Sequence, residues 1–162
     1  MTVTTKPDID NYLSRIAEIQ ETIVTGSIAV KNPKAAPSDP PFWLMHAQGQ
    51  TTQPEASNVW VVNLSVRFIL VRKKGKGALG DYAAEKTLID DMIDVLWYFT
   101  TTADYRNLIT ATYTTVQAGF VPDSVVISNQ ERFNNMTSVG ECVGSIHTLT
   151  WSHRMINFPP VV

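Results

Sequence analysis

One cysteine, Cys142, is the chain's entire thiol complement. That excludes an intrachain disulfide, and with no C-x-x-C pair or cysteine–histidine ladder there is nothing to hold a structural zinc. A reducing compartment is the expectation. Charge is scarce too: Asp, Glu, Lys and Arg make up 17% of the residues, against about 25% in an average soluble protein. At a net charge of −2 the chain has no global positive field to draw it to nucleic acid or an anionic membrane, so any such contact must be local. No run of about 18 apolar residues exists that could span a bilayer. The opening "MTVTTKPDID" has no apolar core of signal-peptide length, and the expectation is a soluble cytoplasmic product. No G-x-S-x-G is present either.

What remains is apolar: 44% of 162 residues, enough for one domain with a real core and too few for two comfortable ones. Sparse charge on such a chain suggests that partners cover part of its surface. After Lys6-Pro7, either Asp8 or Asp10 can cap a helix by accepting a backbone N–H. Ile9, Tyr12, Leu13, Ile16, Ile19 and Ile23 then recur at helical spacing, which predicts an amphipathic helix over about residues 8–25. Residues 30–57 hold five prolines and little periodicity apart from the apolar run Phe42–Met45. Proline removes backbone donors and disfavours helix before it, so this stretch reads as an extended arm or long loop with one short strand. Its aromatic pair Phe42-Trp43 marks it as a contact-making arm.

In "NVWVVNLSVRFILVRKK", residues 58–74, apolar side chains fill every second position from Trp60 to Leu70, as in an antiparallel strand with one buried face. From Asp81 to about Thr100 a helix gathers Leu88, Ile89, Met92, Ile93, Val95, Leu96 and Phe99 on one arc. Lys86, Thr87, Asp90, Asp91 and Asp94 fall on the opposite, solvated arc. Trp97 and Tyr98 stand at the margins of that polar arc, where large aromatics make contacts more often than core. "LITATYTTVQAGF" and "DSVVISNQERF" are β-rich, and residues 142–158 form a second long strand. Two strands of about 15 residues would each reach near 50 Å at roughly 3.3 Å per residue, far beyond the usual strand and beyond the domain's own core.

Candidate chemistry is thin. Gly75, Gly77 and Gly80 spell G-x-G-x-x-G between a strand and a helix, the context of a dinucleotide-binding turn. Yet the preceding strand alternates, and the next acidic residue, Asp104, arrives before any second strand has been made, so a mobile turn is the better reading. Arg72, Lys73, Lys74 and Lys76 fit a solvated strand end first, an acidic protein neighbour second and DNA third. Asp90, Asp91 and Asp94 lack a histidine at matching spacing and read as solvated carboxylates, not a metal site. Cys142 and His147, five apart on an extended strand, point to opposite faces; His147 and His153 share a face about 20 Å apart. Neither pair makes a nucleophile and base, and the chain reads as a non-enzyme with no cofactor and no metal.

The order of elements resembles the tail terminator (tail completion, head–tail joining) proteins of long-tailed bacteriophages. The resemblance is carried by "NVWVVNLSVRFILVRKK", then "DYAAEKTLIDDMIDVLWYF", then "GSIHTLTWSHRMINF" near the C-terminus, and it covers most of the chain as an order of elements rather than a motif. It implies an α+β fold in a single domain over residues 1–162: a mixed, mainly antiparallel sheet with long strands, packed by the N-terminal helix and the central amphipathic helix. It also implies a virion protein, made in the host bacterial cytoplasm, that assembles with itself as a hexameric ring. The ring would cap the tail-tube protein, stop its polymerisation and meet the head–tail connector or neck proteins, with DNA passing through its lumen. Phe42, Trp43, Trp97 and Tyr98 are then the expected contact residues, and Arg72, Lys73, Lys74 and Lys76 the group facing an acidic neighbour or that DNA. The alternatives are another neck or tail-tube subunit, a small nucleotide-binding enzyme using the Gly75/Gly77/Gly80 loop, and a monomeric regulatory or nucleic-acid-binding module.

Overall fold

The computed structural model describes residues 6–31, 37, 39–74, 77–101, 119–136 and 140–156. Helix α1, Ile9–Ile23, starts where Asp8 takes an extended backbone and its Oδ1 accepts the amide of Asn11 at 3.2 Å. That cap satisfies one donor the first turn would otherwise leave open. Tyr12, Leu13, Ile16, Ile19 and Gln20 form its buried stripe. The chain turns at Gly26 into the short strand β1, Ile28–Val30.

Four long strands follow: β2 (Phe42–Ala56), β3 (Val59–Lys73), β4 (Val126–Met136) and β5 (Gly140–Ile156). Ser57 and Asn58 make the two-residue connection between β2 and β3, with Ala56 opposite Val59, a tight hairpin geometry. The sheet order is β1-β2-β3-β5-β4; only β1 and β2 run parallel, and every other neighbouring pair is antiparallel. Helix α2, Gly77–Leu96, lies between β3 and β4 in the chain and runs on as a π turn, Trp97–Thr101. The fold class is α+β, a mixed and mainly antiparallel sheet packed by two helices.

Both helices lie on one face of the sheet. Tyr12, Ile16 and Ile19 of α1 and Leu88 and Val95 of α2, with Phe99 of the π turn, meet Trp43, Phe68, Leu70, Leu149 and Trp151 from the strands in one continuous core. Each such side chain contributes roughly 1.5–3 kcal/mol by leaving water. Among the described residues the opposite face carries a smaller cluster at one end: Phe42, Leu44, Val71 and Cys142, with Phe133 packed against them. Gly144 makes room for it, since a Cβ there would sit 2.1 Å from the Phe133 ring and 2.5 Å from the Leu70 carbonyl oxygen.

Three expectations need correction. Residues 42–56 are not loop but a 15-residue strand. The central helix begins at Gly77, four residues before Asp81, so Gly77 and Gly80 belong to its first turns. Its buried line runs through Leu88, Asp91 and Val95 to Phe99, so the helix is rolled toward what reads as its polar arc. The β-rich stretch after the helix lies outside the described residues up to position 118, as does Asp104; Phe120 bridges to His153.

Candidate interaction surfaces

Strand β2 changes character along its length. Phe42–Met45 are buried, whereas every residue from Ala47 to Ala56 is exposed. β1 pairs with Phe42–Leu44 alone, so beyond Leu44 the outer edge of β2 has no strand partner among the described residues. Extra residues at Gln48 and Glu55 interrupt the register, and Gly49 supplies the positive φ, +105°, that the first bulge uses. Between them Gly49–Pro54 pairs regularly with β3. From Phe42 to Val66 the chain has no lysine or arginine, the residues that most often guard an open edge. On the sheet's bare face Arg154 clasps Glu55 with two hydrogen bonds, 2.7 and 2.9 Å. Its guanidinium holds the Glu55 carboxyl below its usual range.

The other end of the sheet is β4, which pairs with β5 alone among the described residues. Its regular stretch, Asn129–Asn134, also lies between two register shifts. Beside it α2 presents an apolar stripe to solvent: Tyr82, Ile89, Ile93 and Leu96 are 68, 45, 56 and 39% exposed, and Trp97 is exposed as well. Scattered apolar residues are ordinary on a surface, but a contiguous row marks a contact region. The stripe borders β4. The Gln130 amide donates to the Met92 carbonyl at 3.0 Å, and Glu85 shares a cleft of about 230 Å³ with Arg132 and Asn134.

Several residues singled out by sequence sit elsewhere than expected. Phe42 and Trp43 are not surface contacts. Both are fully buried, Phe42 in the small cluster and Trp43 in the main core, where its indole N–H donates to Ser27 Oγ at 3.1 Å. Tyr98 is half-buried against the core. Arg72 does not face outward: its Nη2 donates to Asp91 Oδ1 at 2.9 Å and its Nε to Asp91 Oδ2. Asp91 is thus a buried ion-pair partner rather than a solvated carboxylate. Burial raises its carboxyl above the usual range, and the guanidinium only partly opposes that. Lys73 is exposed at the end of β3 and Lys74 is half-buried; Lys76 and Gly75 lie outside the described residues. The strand leading into the glycines is antiparallel to both its neighbours, so it belongs to no parallel βαβ unit, the setting a dinucleotide turn requires.

Cys142 and His147 do point to opposite faces, Cys142 into the small cluster and His147 into the helix side. His147 is fully buried, stacked on Phe68 with ring centroids 5.0 Å apart, and its two nitrogens meet Ser145 Oγ at 2.7 Å and Gln130 Nε2 at 3.0 Å. Burial pushes its pKa down to about 3. His153, also buried, meets the Tyr12 hydroxyl at 2.7 Å, and burial raises that hydroxyl. His153 thus ties β5 to α1, and His147 ties β5 to β3 and β4, both inside the core.

No protein-family model matches the chain, and no curated protein matches it.

Proposed function

We propose that this chain is a structural ring subunit of a long-tailed phage virion, a tail terminator or a close neck relative. Copies of it close into a ring of six that caps the tail tube and meets the head connector. One observation carries the reading. The outer half of β2 projects with both faces in solvent and its outer edge unpaired among the described residues, a form that gains its hydrogen bonds and cover from a neighbour. The order of elements supports it further: a capped helix, two long antiparallel strands, an amphipathic helix and a long terminal strand. Strands of 15–17 residues, well beyond the five or six of ordinary domains, fit a subunit whose sheet continues into its neighbours. Lys73 and Lys74 at the end of β3 are the cations available to an acidic neighbour or to DNA in the lumen.

The test is genetic and structural. Removing the coding sequence from the phage that carries it should leave heads unjoined to tails and tails of irregular length, as seen by electron microscopy. Joined particles with tails of normal length would contradict the reading.

A further inference from the structure

We infer that the outer half of β2 in one copy docks antiparallel along the outer edge of β4 in the next, beneath the apolar stripe of that copy's α2. The inference rests on the ring reading and names the surfaces that close it.

Topology supplies the first argument. Along the sheet the four long strands alternate in direction, β2 up, β3 down, β5 up, β4 down. The two open edges of one copy therefore run opposite ways. Copies related by rotation about a ring axis keep the same orientation, so β4 of one meets β2 of the next antiparallel, and the same contact repeats around the ring. It is a heterologous contact that closes on itself. An odd number of long strands would have forced a parallel joint.

Fit supplies the second. β1 pairs with Phe42–Leu44, and among the described residues no strand pairs with the outer edge of β2 beyond them. Its regular stretch Gly49–Pro54 and that of β4, Asn129–Asn134, are each six residues long, and register shifts bound both. Neither stretch carries a lysine: that of β2 holds Gly49, amides, hydroxyls and Pro54, and that of β4 holds three amides with Phe133 and the adjacent opposite charges Glu131 and Arg132, so neither edge presents a net charge that would repel an added strand.

Cover supplies the third. The helix-side surface of the β2–β3 arm, with Gln50, Thr52, Pro54 and Trp60, is exposed in its own copy. On the next copy the stripe Tyr82, Ile89, Ile93 and Leu96 stands on the β4 side of α2, the side whose Met92 and Glu85 reach β4. A strand added at that edge slides under this stripe. One geometry thus satisfies two separate features: an arm and a helix face that, among the described residues, are both exposed.

The experiment mixes two full-length variants, Thr51→Cys and Glu131→Cys, and oxidises them; native Cys142 is buried and does not compete. Thr51 and Glu131 lie on the same, bare face, opposite Asn63 and Ile146. The expected product is a mixed disulfide between the two variants, formed also by Gln53→Cys but at least tenfold less by Thr52→Cys, which points to the other face. Ile89→Lys with Ile93→Lys should leave the subunit folded by circular dichroism and weaken assembly at least tenfold. Rings that close in negative stain with only Thr51–Thr51 or Glu131–Glu131 disulfides, or none, would overturn this joint and leave the ring reading standing. Mixed disulfides in open filaments would support the joint and sink the ring. A chain that stays at 18 kDa at every concentration, without cross-links, would overturn both.

Discussion

The two ends of the same strands live in different surroundings. Near Phe68, β3 lies in the main core: the Phe68 ring packs on Trp43, Phe99 and His147 at centroid distances of 5.7, 5.6 and 5.0 Å. Eight residues away, on the same strand and the same face, Trp60 is 39% exposed at the base of the hairpin tip. Local structure is the same at both places and the burial is not. The covered end supplies the stability of the subunit, and the bare end has regular hydrogen bonding but little core of its own. A strand that is fully formed yet unroofed is held in register by its neighbours in the sheet, and is available to a further one.

The sharpest way to break that comparison is to truncate both ends. Phe68→Ala should cost about 3–5 kcal/mol, the range for deleting a buried aromatic, whereas Trp60→Ala should cost under about 1 kcal/mol in the isolated subunit. Urea denaturation of the two variants reads both values, and equal losses would erase the distinction. Next in size is the ion pair. Arg72→Ala leaves the buried Asp91 carboxylate without its partner and should cost about 3 kcal/mol. Arg154→Ala, which removes the exposed clasp on Glu55 at the bare end, should leave the unfolding midpoint where it is.

The buried end should also be the acid-sensitive one. His147 is held neutral with a pKa near 3, whereas in the unfolded chain it titrates near 6.5. Between those values the unfolded state binds the extra proton, so this group's stability is full above pH 6.5 and falls as pH drops toward 3. The slope reaches about 1.4 kcal/mol per pH unit. Denaturation midpoints measured from pH 7 to 4 should show the loss, and a His147→Gln variant should show less of it. The smallest effect is a gain. Gln20 is fully buried with neither amide atom hydrogen-bonded, so Gln20→Met should stabilise the subunit by about 1 kcal/mol.

Legibility from sequence followed the same division. α1 and β3 were readable because each has one buried face, and burial is what writes a period of 3.6 or 2 into the residues. β2 was readable only as far as Met45: "HAQGQTTQPEA" has no alternation because neither of its faces is buried, and Pro54 with two bulges made it look like loop. Phe42 and Trp43 stand out in the sequence but their surroundings do not, since a proline-flanked aromatic pair looks alike whether it anchors a core or a contact. Asp91 was hidden for a different reason. Its partner, Arg72, comes from a strand 19 residues away, and only tertiary packing rolls α2 far enough to bring them together. The same roll leaves Ile89, Ile93 and Leu96 in solvent, so the surface stripe was legible as apolar but not as exposed.

Self-assembly through the bare end is the claim on which the rest depends, and the mass of the purified full-length chain across a wide range of concentrations tests it most directly. Light scattering joined to negative-stain imaging should find a multiple of 18 kDa that grows with concentration into closed rings. A single 18 kDa species that persists at the highest concentration, with no ring on the grid, would contradict it.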